Sequence, residues 1–70
     1  MDYIYVTSSN VTAIAYDEPS ATLAVVYGAA EYHYFNVPIN IFDGIRNSGS
    51  VGGYIDQNVK KAGYGYTRVR

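Results

Sequence analysis

The sequence contains no cysteine and no tryptophan, and only two prolines and two phenylalanines in 70 residues. Without cysteine there is no disulfide staple, no thiolate zinc site and no thiol or redox chemistry. Charged residues are also scarce, at 16%, while 49% of the chain is hydrophobic, a balance that argues against intrinsic disorder. No apolar run approaches the roughly 18 residues that a membrane span needs. The opening segment, Met1-Asp2-Tyr3-Ile4-Tyr5, has neither the basic nor the apolar region of a secretory signal. A soluble, cytoplasmic domain is the expectation. A single domain of this length buries only about 60% of the surface its unfolded chain exposes. With no staple available, a well-packed core or self-association must support it. What is abundant is tyrosine, at nine residues.

The net charge of −1 conceals a division. Through Pro38 the charged residues are Asp2, Asp17, Glu18 and Glu31, giving −4. From Ile39 onward Arg46, Lys60, Lys61, Arg68 and Arg70 face Asp43 and Asp56, giving +3. Such asymmetry can build a basic face for phosphates or let two copies meet acid to base. It can equally be neutralised within one fold.

Periodicity changes near Pro38. Before it, β-branched residues and tyrosines alternate with small or polar ones, as strands require. Val11–Tyr16, Leu23–Tyr27 and Glu31–Phe35 form three such runs. They are separated by Asp17-Glu18-Pro19-Ser20, which is turn chemistry, and by the short connection Gly28-Ala29-Ala30. Short connections favour an antiparallel meander, and Tyr3–Val6 offers a fourth, edge strand. After Pro38, Ile41, Phe42 and Ile45 make one apolar face of a short helix, with Gly49 the expected left-handed residue at its end. Ser50 then caps a second helix that buries Tyr54, Ile55, Asn58 and Val59. Gly52 and Gly53 in its first turn cost roughly 1 kcal/mol each against Ala. They call for a reason, such as close packing or backbone approach to a ligand. The fold class expected is α+β: a three- or four-stranded antiparallel meander followed by two short helices packed on one face. One domain spans 1–70, with a core of about 6–62 and a basic Gly/Tyr tail at 63–70.

Several segments fall in a familiar order. Val6-Thr7-Ser8-Ser9-Asn10-Val11, Ala15-Tyr16-Asp17 and Leu23–Tyr27 are followed by Tyr32-His33-Tyr34-Phe35-Asn36-Val37-Pro38 and by Ser50-Val51-Gly52-Gly53-Tyr54-Ile55-Asp56. From about Val6 to Lys60 the chain resembles the KTSC domain, which is named for a C-terminal extension of some lysyl-tRNA synthetases. The domain also occurs as a stand-alone small protein of bacteria and phages. Its Tyr-x-Tyr-x-x-Val-Pro and Ser-x-Gly-x-Tyr motifs together are fairly specific. Members often carry Phe-Asn where this chain has Ile55-Asp56, and Asp56 would repel an anionic ligand. The resemblance implies the fold, with RNA binding as an expectation.

Each constellation has a structural and a functional reading. Tyr32 and Tyr34 share one face of a strand. They are core if that face meets the helices and a stacking platform for bases if it meets solvent. Ser8-Ser9-Asn10 can satisfy a local turn or hold a phosphate or base edge. Ser48–Gly53 is either an interhelical turn or an anion-binding helix start, though it lacks the lysine of a P-loop. Lys60, Lys61, Arg68 and Arg70 flank Tyr64 and Tyr66, the charge-plus-ring mixture that single strands need. The sequence pI near 5.5 is low for a nucleic-acid binder. Of the nine tyrosines, Tyr3, Tyr5, Tyr64 and Tyr66 are the ones expected to be exposed or to meet a partner.

Catalysis has little support. His33 is the sole histidine, no His/Asp/Glu group has metal-ligand spacing, and a Ser8–His33–Asp17 triad is a combination any small protein offers. The expectation is a non-enzymatic binding module without cofactor or metal, taking RNA, another nucleic acid or a nucleotide. Ser8, Ser9, Tyr32, Tyr34, Ser50, Gly52, Lys60, Lys61 and Arg68 are the candidate contacts. The alternative is a self-assembling homo-oligomer that meets a host or viral protein. A phage-encoded oligomer that sequesters a signalling nucleotide is one form of it.

Overall fold

Alternating apolar residues before Pro38 pair into a sheet, and the helical residues after it supply the cover. The computed structural model describes residues 1–70. Its strands are β1 (Ile4–Tyr5), β2 (Ala13–Asp17), β3 (Thr22–Tyr27), β4 (Ala30–Tyr34) and β5 (Tyr66–Arg68). Between β4 and β5 lie α1 (Ile39–Asn47) and α2 (Val51–Ile55), the latter continuing into a π-helical turn over Asp56–Lys60. The sheet order is β1-β2-β3-β4-β5 with every neighbouring pair antiparallel. No helix is long and apolar enough to cross a membrane.

Turn chemistry sets the registers. Gly28, at φ +60°, opens the two-residue connection between Tyr27 and Ala30, which pair directly; a primed turn needs that left-handed conformation. Between β2 and β3, Ser20 donates to the Asp17 carboxylate at 2.5 Å and the Ala21 amide donates to the Glu18 carbonyl at 3.2 Å. These registers put Ile14, Leu23, Val25 and Tyr34 on the face that meets the helices. They pack there with Val11, Val37, Phe42, Ile45, Ile55 and Val59. Fully burying an aliphatic side chain of this size contributes about 1.5–3 kcal/mol. Tyr16 extends the core to the rim, its ring stacked on Phe42 at 5.4 Å and its hydroxyl donating to the Val37 carbonyl at 2.5 Å.

Three details depart from the sequence reading. The meander gains a fifth strand from the segment read as a basic tail. The Phe35 amide donates to the Gly65 carbonyl at 2.8 Å and the Val69 amide to the Glu31 carbonyl at 2.8 Å. Three residues are too few to display a period, and their partners lie some thirty positions earlier in the chain. Second, α1 ends at Ser48 in an extended conformation, φ −79° and ψ 141°, so Gly49 is not a left-handed terminator. That role falls to Gly63, at φ +82°, where the chain leaves the second helix for β5. Third, Ser50 occupies the start of α2 without a side-chain cap. Its amide instead donates to the Ser48 hydroxyl oxygen at 3.0 Å.

The sheet's other face has no helix over it, and its centre is built from alanines. Ala13, Ala15 and Ala24 are all buried. The cover comes from the N-terminal segment: the Tyr3 hydroxyl donates to Glu31 Oε2 at 2.5 Å. Tyr3 adjoins β1 and Glu31 lies on β4, so the bond joins the first strand to the fourth over the face of β2 and β3. Small residues beneath it leave the room it needs. Glu31 Oε2 also meets His33 Nε2 at 2.7 Å, and Arg70 Nε donates to Glu31 Oε1 at 3.0 Å. One carboxylate, 5% exposed, thus ties both ends of the chain to the sheet. The Tyr3 hydroxyl bond, reinforced by His33 and Arg70, outweighs burial and holds the Glu31 carboxyl down to about 2. Nothing in the sequence pattern singled out this group, because its partners are 28 and 39 positions away.

Candidate functional site

Tertiary packing assembles the candidate residues at two places. The first is a polar cleft of about 370 Å³ at the start of α2, lined by Thr7, Ser8, Ser9, Asn10, Gly49–Gly53 and Asp56. The loop before β2 and the turn between the helices, some forty residues apart, form its two walls. Ser8, Ser9, Ser50 and Gly52 are therefore brought together. Their local bonding follows the structural reading, since the Ser8 hydroxyl meets Asn10 Oδ1 at 3.2 Å and accepts from the Val11 amide at 3.4 Å. Gly52 has a packing reason as well. A Cβ there would sit 2.9 Å from Asn10 Oδ1, so the absent side chain lets the loop press against the helix. The lining includes no Lys or Arg and does include the Asp56 carboxylate.

A groove of about 490 Å³ beside β4 is the second place, lined by Tyr32, Tyr34, Val59, Lys60, Gly63, Tyr64 and Tyr66. The strand period directs Tyr32 and Tyr34 to the same side. The π-helical turn supplies Val59 and Lys60, and the Gly63-Tyr64-Gly65 bend carries the chain over to Tyr66 on β5. Tyr34 is 5% exposed and forms part of the core, so for this ring the core reading holds. Tyr32 is half-buried and Tyr66 is exposed. Tyr66 stands 6.1 Å from the Tyr32 ring and 5.6 Å from the Tyr34 ring, centroid to centroid. Of the four tyrosines expected to be exposed or to meet a partner, Tyr3, Tyr5 and Tyr66 are exposed. Tyr64 is half-buried and packs on the core, because the return of the chain into β5 folds it inward.

Cations frame this groove. The Arg68 guanidinium lies 5.9 Å from the Tyr32 ring centre and Lys60 Nζ 5.0 Å from that of Tyr27, both within cation–π range. Lys60 also pairs with Asp56 at 3.3 Å, both side chains about half exposed, so the pair is worth little and opens readily. Lys61 is exposed and lines neither place. Behind Lys60, the Tyr27 hydroxyl is buried without a hydrogen-bonding partner. It is close enough to the Tyr34 hydroxyl for each to influence the other's ionisation. Burial is the main cause that pushes both phenols up.

Residues of the paper triad go separate ways: His33 meets Glu31, Ser8 meets Asn10 and Asp17 meets Ser20. No group of three His, Asp or Glu side chains is placed to hold a metal ion. The acidic and basic parts of the chain meet through the Glu31–Arg70 ion pair, while Asp43–Arg46 and Asp56–Lys60 pair within the second part.

A five-stranded antiparallel sheet with two short helices on one face defines a small α+β domain. Residues 7–64 match the KTSC domain family, and the chain belongs to it. The fold is similar to the crystal structure of a KTSC domain protein from Yersinia pestis, with a TM-score of 0.89 and 23% sequence identity. That match covers 99% of this chain and 97% of the other. No curated protein matches at a significant level. Ser8, Ser9, Tyr32, Tyr34, Ser50, Gly52, Lys60 and Lys61 lie within the family's span; Tyr66, Arg68 and the Tyr3–Glu31–Arg70 tie depend on residues outside it.

Proposed function

We propose that this KTSC domain is a non-enzymatic binding module for a nucleic acid or nucleotide. The observation that carries the reading is the groove beside β4, where four tyrosines converge with Lys60 and where Arg68 lies over Tyr32. Rings for bases and cations for phosphates are the two components of single-strand recognition. Phosphates belong on this side, with Lys60 and Arg68. The polar cleft, bordered by Asp56 and without a cation, suits uncharged partners. There Ser8, Ser9 and Ser50 offer hydroxyls to ribose 2′-hydroxyls or base edges.

Fluorescence anisotropy with labelled single-stranded RNA and with tRNA, at low salt, tests the reading. Binding is expected to weaken as salt rises, because few phosphates are neutralised and each contributes through counterion release. Lys60→Ala/Lys61→Ala is expected to weaken binding and reduce that salt dependence. Absence of binding at tens of micromolar protein overturns the proposal.

A second reading draws on a different observation. Both edges of the sheet are exposed: Ile4 and Tyr5 on β1, and Tyr66–Arg68 on β5. Open edges are templates for pairing with another chain, which would make the module self-assembling, with the cytoplasm of a bacterial or phage-infected cell as its proposed setting. Light scattering across a concentration series tests this, and a monomer at high concentration removes it.

A further inference from the structure

We infer that the tyrosine groove takes a single unpaired nucleobase, with the sugar–phosphate held at Lys60 and Arg68; this rests on the binding-module reading above and names the ligand group for one of its two sites. The groove, at about 490 Å³, lies in the size range of small-ligand sites. Its lining gives a flat ligand what it needs. Tyr66 is 63% exposed and stands over the groove, offering a ring face at low ordering cost. Tyr32 is held in place by Tyr27 edge-on at 5.9 Å and by Arg68. Val59 and Gly63 add apolar and open surface.

Polar chemistry distinguishes this ligand from a purely apolar one. Tyr34 lines the groove, and beside it the Tyr27 hydroxyl is buried and unpartnered. A base edge, with nitrogen and oxygen atoms in the plane of the ring, can bond to the Tyr34 hydroxyl, which lies on the groove lining. A lipid tail or an aliphatic peptide side chain cannot. Lys60 lines the same groove and its exposed pairing with Asp56 is easily exchanged for a phosphate. A duplex is excluded by geometry, because its bases are already stacked and paired and present no free face.

The test is a ¹⁵N chemical-shift titration of the full chain with each of the four ribonucleoside monophosphates, with inorganic phosphate alone, with a four-nucleotide single-stranded RNA and with a matched duplex. Monophosphates and single strand are expected to shift Tyr32 and Gly63–Tyr66, and phosphate alone and duplex are not. Tyr66→Ala is expected to weaken binding about tenfold or more, the effect of losing one stacking surface. Tyr34→Phe keeps the ring in the core and removes the hydroxyl, so it is expected to level the preference among the four bases. A tetranucleotide that binds better than a monophosphate identifies a strand as the source of the base; equal or weaker binding identifies a free nucleotide. Shifts confined to Ser8–Asn10 and Ser50–Gly53, or single-strand binding unchanged in both tyrosine variants, overturn the groove while leaving the binding module standing. No shift with any of these ligands overturns both.

Discussion

The two faces of this sheet are held by different physics. Toward the helices, Ile14, Leu23 and Val25 meet Phe42, Ile45, Ile55 and Val59 in an apolar layer with Tyr34 at its margin. On the opposite face, Ala13, Ala15 and Ala24 lie under a polar tie in which Tyr3, His33 and Arg70 converge on Glu31. The first face draws its stability from area removed from water and is insensitive to pH. The second depends on one ionised carboxylate and on the ends of the chain. A small domain without cysteine has here substituted a charged knot for a disulfide staple, closing 28- and 39-residue separations in the folded state.

Substitutions can separate the two faces. The largest effect is expected on the apolar side. Ile45→Ala, at a fully buried position in α1, should cost about 2–5 kcal/mol. In a domain this small such a loss leaves little folded protein, and urea denaturation followed by circular dichroism measures it. Next is Glu31→Ala, which removes the acceptor of three side-chain contacts. Each hydrogen bond to a charged group is worth about 1.5–3 kcal/mol, but the Arg70 end is largely in water and counts for less. A net cost of about 2 kcal/mol is expected, or a fall of roughly 8–16 °C in Tm. Were Glu31→Ala to match wild-type stability, the tie would be ornamental and the outer face held by packing alone.

The pH dependence sharpens the same contrast. Glu31 ionises at about 2 in the folded chain against 4.5 ordinarily, so the unfolded chain binds more protons in between. Its contribution is therefore complete above about pH 4.5 and is lost as pH falls toward 2. Glu31→Gln should flatten that acid limb, whereas Ile45→Ala should lower the whole curve and keep its shape. Thermal melts between pH 2 and 6 compare them. The smallest effect belongs to Asp56→Asn, which breaks an exposed i,i+4 pair with Lys60. A change within about 0.5 kcal/mol is expected. The same variant removes the carboxylate from the polar cleft, so any gain in anion binding there would be read without interference from stability.

How much of this was legible in the chain depends on the range of the interaction. Alternation in Val11–Tyr16 and Leu23–Tyr27 is a local property, and it marked both runs as strands, while the registers with their neighbours decided that Ile14, Leu23 and Val25 face the helices. In the second helix, spacing alone marked Ile55 and Val59 as buried. For Tyr34 the sequence left core and stacking surface open, and the packing of β4 against the helices decided for the core. Gly52 is a different case: a glycine in a first helical turn signals a constraint, but only the position of Asn10 shows that the constraint is packing. The cleft itself joins Ser8–Asn10 to Gly49–Gly53, a meeting that no local pattern contains. Glu31 looked like an ordinary strand carboxylate, with neither partner Tyr3 nor partner Arg70 near it in sequence.

The abundance and scarcity in the composition thus divide along the same line. By itself the sequence determined the α+β class, the strand and helix order through Lys60 and the absence of covalent staples. These follow from periodicity, turn residues and residue chemistry, all of which act within a few positions. The tertiary structure alone decided that the Gly-Tyr-Gly-Tyr segment returns as β5, that Tyr66 and Lys60 share a groove with Tyr32, and that one carboxylate fastens both ends. Each of those depends on two distant segments coming into register. The free energy that selects such a register resides in packing and hydrogen bonding between them, which neither segment carries alone.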